Sequence, residues 1–128
     1  MSGMFCSYCN KIDICSINTT LTTGPIIMIL VLNRERINQF DVKFNFTEYI
    51  DLNKYIQNSN NRSNYKLIGM ITHLEESDMN GNFIAYCRDP LFGLWYKYND
   101  AIVSPVNDFQ NEVVNSGIPY LLFYQLVH

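Results

Sequence analysis

Tyr65-Lys-Leu-Ile-Gly-Met-Ile-Thr-His73 leads into the polar stretch Leu74-Glu-Glu-Ser-Asp-Met-Asn-Gly81 and then into Asn82-Phe-Ile-Ala-Tyr-Cys-Arg88. The first and third pieces are apolar runs of strand length, and the middle one is a connector rich in charge and turn-formers. Together they read as two long antiparallel strands of one hairpin, with His73 expected opposite Asn82. The rest of the chain repeats this pattern on both sides. Upstream, Ile26 to Leu32 is an unbroken, largely β-branched apolar run that suits a strand covered on both faces. Phe40-Asp-Val-Lys-Phe-Asn-Phe46 alternates strictly, which puts Phe40, Val42, Phe44 and Phe46 on one face and Asp41, Lys43 and Asn45 in water. Asp51 to Ile56 reads as a turn or short helix, and Asn58 to Asn64 as an exposed loop.

Downstream, short strands are expected at Leu94 to Tyr98 and Ala101 to Val106, with Pro105 confining the end of the latter to an edge or bulge. Asn107-Asp108 can cap a short helix reaching about Asn115, with Gly117 beyond its end. Tyr120 to Val127 closes the chain as a further apolar strand. Many strands, hairpin-length loops and few short helices predict an α+β fold built mainly on an antiparallel sheet. Met1 to Thr23 is polar and irregular. The expected division is therefore residues 1–24, carrying one Cys-x-x-Cys, and residues 25–128.

Bulk properties narrow the function classes. A chain of 128 residues with 48% hydrophobic content and 14% aromatics can build a core. A net charge of −3 with no basic cluster argues against a nucleic-acid or membrane surface. No apolar run approaches the roughly 20 residues that cross a bilayer, and no secretory leader is evident at the N-terminus. The four cysteines are accordingly read as thiols or metal ligands, and a cytoplasmic or nuclear location is expected.

Read in order, the segments resemble the C-terminal half of the ubiquitin-specific protease catalytic domain. Cys6-Ser-Tyr-Cys9 resembles the latter Cys-x-x-Cys of that family's zinc-binding fingers, and Pro25 to Arg34 its "P-x-x-L-x-x-x-L-x-R" strand. Phe40 to Phe46, with Asp51-Leu52 and Tyr55, resembles the next strand and turn. Tyr65 to His73 is similar to "Y-x-L-x-G-V-x-x-H", and Gly81 to Tyr86 to "G-H-Y-x-A-Y". Trp95 to Asp100 with Val103 resembles "W-x-x-F-[ND]-D-x-x-V", and Tyr120 to Tyr124 the closing "A-Y-x-L-F-Y". The resemblance implies the palm-like part of a papain-like fold, without the thumb and half the fingers.

It also implies an activity: thiol-dependent cleavage after the C-terminal glycine of ubiquitin. That chemistry needs a cysteine thiolate, a histidine base and an Asn or Asp orienting the histidine. The resemblance assigns the orienting role to Asn99. The histidine position falls on Asn82, whose amide has no basic nitrogen near neutral pH and cannot take the thiol's proton. The family's "G-N-T-C-[YW]" nucleophile box does not occur in this sequence. A catalytically inactive relative is therefore expected, with a non-catalytic ubiquitin-binding or scaffold module and a remnant without function of its own as alternatives. A further alternative has another chain supply the missing groups.

No second dyad is expected. His73 and Cys87 would lie roughly 16 Å apart at strand rise, with His73 a hydrogen-bonded structural residue and Cys87 a small buried hydrophobe. The resemblance puts Gly81 and Phe83 beside the groove for ubiquitin's tail, where half a groove implies weak binding. Structural zinc wants four ligands, so Cys6 and Cys9 read as a vestigial half-site and no cofactor is expected. A thioredoxin-like role lacks the surrounding βαβ pattern.

Overall fold

The computed structural model describes residues 3–32, 45–58, 60, 62–74, 82–115 and 118–128. Most of the alternating segment Phe40–Phe46, and the Gly81 position, lie outside them. At the end of that segment, Asn45 is exposed and Phe46 buried, in the sense the alternation predicts.

The expectation of a mainly antiparallel sheet is met. Among the described residues the strands are β1 (Met4–Cys6), β2 (Lys11–Asp13), β3 (Ile27–Val31), β4 (Tyr49–Asp51), β5 (Asn64–Leu74), β6 (Asn82–Arg88), β7 (Trp95–Asn99), β8 (Ile102–Pro105) and β9 (Ile118–Leu126). Seven of them form one sheet in the order β3-β9-β5-β6-β7-β8, with β4 alongside the start of β5. Each of these pairings is antiparallel. β1 and β2 form a hairpin that shares no ladder with the larger sheet. This hairpin was not expected from the sequence, because three-residue strands carry too little pattern to stand out.

β5 is the central strand, and two irregularities govern what it buries. Tyr65 and Leu67 point inward, but further along it is Met70 and Thr72 that are buried. The register against β9 slips between Leu67 and Gly69, leaving Ile68 as an extra residue. A bulge of this kind shifts the period-2 alternation by one position, so the inward set changes from odd to even numbers. A second slip, between Ile71 and Thr72, leaves Tyr120 as the extra residue on β9.

The core lies on one face of the sheet. It contains Met28, Tyr65, Leu67, Met70, Ile84, Tyr86, Trp95, Leu122, Tyr124 and Leu126, with Phe46, Ile56 and Val113 packed over them. Two tyrosines bury their rings while satisfying their hydroxyls on loops. Tyr65 donates to the Pro25 carbonyl at 2.7 Å, and Tyr124 to the Thr47 carbonyl at 2.7 Å. Burial pushes the Tyr124 phenol up to about 12 and raises Tyr65 in the same direction. Gly24 is required where it stands: a Cβ there would lie within 3.0 Å of Ile56 and closer still to the Tyr65 hydroxyl.

The expected helix after Asn107 is a single wide turn, the π-helix Gln110–Val114, closed by the Asn115 amide donating to the Gln110 carbonyl at 3.1 Å. Asp108 caps its start by accepting from the Asn111 amide at 3.1 Å. Val113 is fully buried, and Phe109 stacks at 5.0 Å on Trp95, so this turn covers the β7 end of the core. Asp51 to Ile56 divides into the end of β4 and a turn. Asp51 accepts from Ser63 at 2.8 Å and from the Asn53 amide at 2.9 Å, and these bonds hold its carboxyl below the usual carboxylate range.

Candidate functional site

The β5–β6 hairpin sets the geometry of the candidate site. Its register pairs Leu74 with Asn82, His73 with Phe83, Thr72 with Ile84 and Met70 with Tyr86. His73 therefore faces Phe83, one residue along from the Asn82 expected to oppose it. Asn82 is the first residue of β6, immediately after the loop.

β6 pairs in turn with β7, with Ala85 opposite Tyr98 and Tyr86 opposite Lys97. Extending that register by one residue sets Asn99 beside Ile84. Asn82 lies two residues from Ile84 on the same strand, so position 82 is a diagonal neighbour of position 99, and Asn99 stands on the face of buried Ile84 and Tyr86. Diagonal neighbours of this kind stand about 7–8 Å apart at Cα. Asn99 is half-buried and ends β7 at a two-residue turn, where Asp100 takes a left-handed φ of 51° before Ile102 pairs back with Asn99. The fold thus brings together the two positions that the sequence singled out from segments 17 residues apart.

The opposite face carries different chemistry. Phe83 is exposed there, and its ring makes an edge contact with His73 at 5.0 Å and with Tyr120 at 5.6 Å. The His73 and Tyr120 rings also meet, at 5.9 Å. His73 is held in this aromatic triad. Cys87 pairs with Gly69, four residues from His73 along β5, or roughly 13 Å at strand rise. That separation rules out proton transfer between them, as anticipated. Cys87 is nevertheless exposed, contrary to its expected burial, because it sits on the outer face rather than with Ile84 and Tyr86. Neighbouring side chains partly desolvate the thiol and push its pKa up, which disfavours the thiolate.

A broad open groove of about 710 Å³, lined by Lys66, Ile68, Arg88, Leu91 and Phe92 among others, lies at the far end of β6. Arg88 is six residues from Asn82, roughly 20 Å along the strand, so this groove is separate from the Asn82–Asn99 end.

The Cys6–Cys9 pair occupies the tip of the β1–β2 hairpin. Residues Ser7 to Asn10 form the turn, the Asn10 amide donates to the Cys6 carbonyl at 2.8 Å, and Asn10 takes a left-handed φ of 58°. This folding brings the sulfurs to 3.0 Å, with the Cys9 thiol donating to Cys6. That bond, with the amides of Cys9 and Tyr8, lowers the Cys6 pKa, and the same bond with some desolvation raises that of Cys9. Cys15 stands apart, its thiol directed to the Asp13 carbonyl at 3.7 Å. Among the described residues no group of three or more His, Cys, Asp or Glu side chains converges on a metal position.

A protein-family model described as ubiquitin carboxyl-terminal hydrolase matches residues 1–124. The cattle protein ubiquitin carboxyl-terminal hydrolase 2 is 31% identical over 127 residues, covering 94% of this chain and 20% of its own length. Ubiquitin carboxyl-terminal hydrolase Usp2 of Drosophila melanogaster is 27% identical over 126 residues, covering 94% of this chain and 13% of its own. Among solved structures, the SAGA DUB module with Ubp8, Sgf11, Sus1 and Sgf73 bound to monoubiquitin superposes with a TM-score of 0.74 and 26% identity, over 98% of this chain and 29% of the other. A further structure of that module gives a TM-score of 0.63 at 29% identity, over 81% of this chain and 24% of the other. The chain spans about a fifth of the length of the cattle relative. Nearly its whole length matches, and the chain belongs to the ubiquitin carboxyl-terminal hydrolase family.

Proposed function

We propose that this chain is a ubiquitin-recognising segment of a ubiquitin-specific protease domain that does not itself cleave ubiquitin. The observation that carries this reading is the pair of amides at the head of β6 and the end of β7. Positions 82 and 99 are diagonal neighbours on adjacent strands, where the family resemblance assigns the base and the residue that orients it. Asn99 can accept an imidazole N–H and fix its tautomer. Asn82 offers an amide in place of the imidazole, so neither deprotonation of a thiol nor protonation of a leaving amine can pass through it. Cys87, exposed but more than a dozen ångströms from His73 and with a raised pKa, is no substitute nucleophile.

Recognition of ubiquitin rests on the likeness to the Ubp8 module bound to monoubiquitin. Phe83 heads the outer face next to the loop before β6, exposed and rigidly seated against His73 and Tyr120. A pre-positioned aromatic contributes contact area at little entropic cost. Gly81, outside the described residues, is the other position that the resemblance assigns to the tail groove.

The test is titration of labelled ubiquitin with the purified chain, alongside a ubiquitin probe bearing a cysteine-reactive terminus. Saturable binding without covalent labelling is expected, and Phe83→Ala weakens it. Labelling of the chain overturns the assignment of Asn82 as an inert base position. Absence of any binding overturns the recognition role and leaves a structural remnant.

A further inference from the structure

We propose that the groove at the far end of β6 is a docking site for an extended acidic peptide segment, in which a carboxylate is followed by large apolar side chains. The site lies roughly 20 Å along the strand from Asn82 and does not rest on ubiquitin recognition. The groove is placed where β5 changes neighbours. β6 flanks that strand as far as the Gly69–Cys87 pair, and β4 takes over from Lys66. Ile68, the extra residue of the register slip, falls between the two and lines the groove. Lys66 and Gln125 are cross-strand partners on β5 and β9. Each alternates with buried neighbours, so both stand on the outer face of the sheet.

The loop from Asp89 to Leu94 makes another wall. It holds Leu91 and Phe92 in water, 83% and 79% exposed, through a built turn. The Asp89 amide donates to the Leu94 carbonyl at 2.7 Å, and the Gly93 amide to the Asp89 carbonyl at 2.8 Å. Gly93 takes a left-handed φ of 71°, and a Cβ there would meet the Arg88 guanidinium at 3.1 Å. Apolar side chains presented on such a turn offer contact area at little ordering cost.

Charge selects the partner. Lys66 has no carboxylate partner among the described residues. Arg88 donates from Nε to the Gly93 carbonyl at 3.3 Å. Its Nη1 is shut off from water without a hydrogen bond, and the Glu48 carboxylate stands 3.7 Å away. Asp89 also lines the groove, but its two oxygens accept from the amides of Leu91 at 3.1 Å and Phe92 at 3.2 Å. An incoming carboxylate gains a charge-assisted bond from Lys66. Its apolar neighbours cover Leu91 and Phe92, and the Gln125 amide can serve the peptide backbone. Two cations in a chain of net charge −3 are too few for a nucleic acid or an anionic bilayer, which need a cluster.

The experiment titrates the full chain into fluorescein-labelled Ser-Gly-Asp-Asp-Leu-Phe-Gly-Ser and follows anisotropy. Saturable binding that weakens with added salt is expected. Versions of the peptide with Asn-Asn for Asp-Asp, or Ser-Ser for Leu-Phe, bind at least about tenfold more weakly. Lys66→Glu and Phe92→Ser each cost about tenfold as well. Lys11→Glu makes the same change of net charge on the distant β1–β2 hairpin and leaves binding intact, as does Phe83→Ala at the ubiquitin-facing end. Circular dichroism of every variant checks that the sheet is retained. No saturable binding up to about 1 mM chain, an equal loss in Lys11→Glu, or equal affinity for the Asn-Asn peptide would each overturn the proposal. So would phosphatidylserine vesicles that bind through Lys66 and Phe92 where the peptide does not.

Discussion

The β1–β2 hairpin and the β5–β6–β9 centre of the large sheet are both antiparallel, but they are held by different means. In the centre, Tyr65, Leu67, Met70, Ile84, Tyr86, Leu122 and Tyr124 are almost entirely removed from water. In the hairpin, every strand residue but Cys6 is exposed, including the cross-strand pair Phe5 and Ile12. A two-stranded ribbon of three-residue strands is marginal by itself. The comparison teaches that backbone ladders alone do not anchor a segment, whereas burial on one face does.

The contrast can be broken most forcefully at the centre. Leu122→Ala leaves a cavity in the core and is expected to destabilise the chain by about 2–5 kcal/mol, read as a lowered midpoint in urea. Phe5→Ala in the hairpin should shift that midpoint by less than about 0.5 kcal/mol, as for other exposed positions. A loss of the same size at both would erase the distinction. Tyr124→Phe removes the bond to the Thr47 carbonyl and leaves that acceptor unpaired, at a cost of about 1–2 kcal/mol in the same assay.

Smaller effects sharpen the comparison through pH. Tyr124 has a raised pKa in the folded chain, so its contribution is complete below the ordinary phenol value of about 10. It is lost as pH rises towards about 12. Alkaline unfolding should therefore begin above pH ~10 and be blunted in Tyr124→Phe; identical alkaline profiles would count against this. Asp51 has the opposite sign. Its folded pKa is lowered, so its contribution is present above the ordinary carboxylate range and is lost as pH falls through the depressed value. Because Asp51 is exposed, the expected effect is the slightest of the set: Asp51→Asn should flatten the acid limb of the stability curve and leave neutral pH nearly untouched.

Much of this architecture was legible in the residues. Strands such as Asn82–Arg88 and Tyr65–His73 announce themselves through runs of apolar and β-branched side chains, and β6 falls on its expected bounds. Asn82 and Asn99 were singled out through likeness of motif rather than periodicity, and the register sets the two positions near one another. What escaped was anything depending on register. The Phe83–His73 pairing follows from where the loop hands over to β6, and single-strand patterns carry no record of that. Cys87 was misjudged because strand alternation does not say which of its two faces is inward. The hairpin at Cys6 was missed because its organising signal is a turn residue, Asn10, and not a hydrophobic pattern.

Ile68 gives the long central strand a joint. Upstream of it the strand addresses the tyrosine-pinned loops at Pro25 and Thr47; downstream it supports the strand that begins with Asn82. Because an extra residue separates them, the two halves keep independent phase, like two gears on one shaft with a clutch between. Deleting Ile68 would merge them into a single alternation in which Tyr65, Leu67, Met70 and Thr72 all stay on the buried face. A one-residue gap elsewhere in either half would instead exchange that half's two faces.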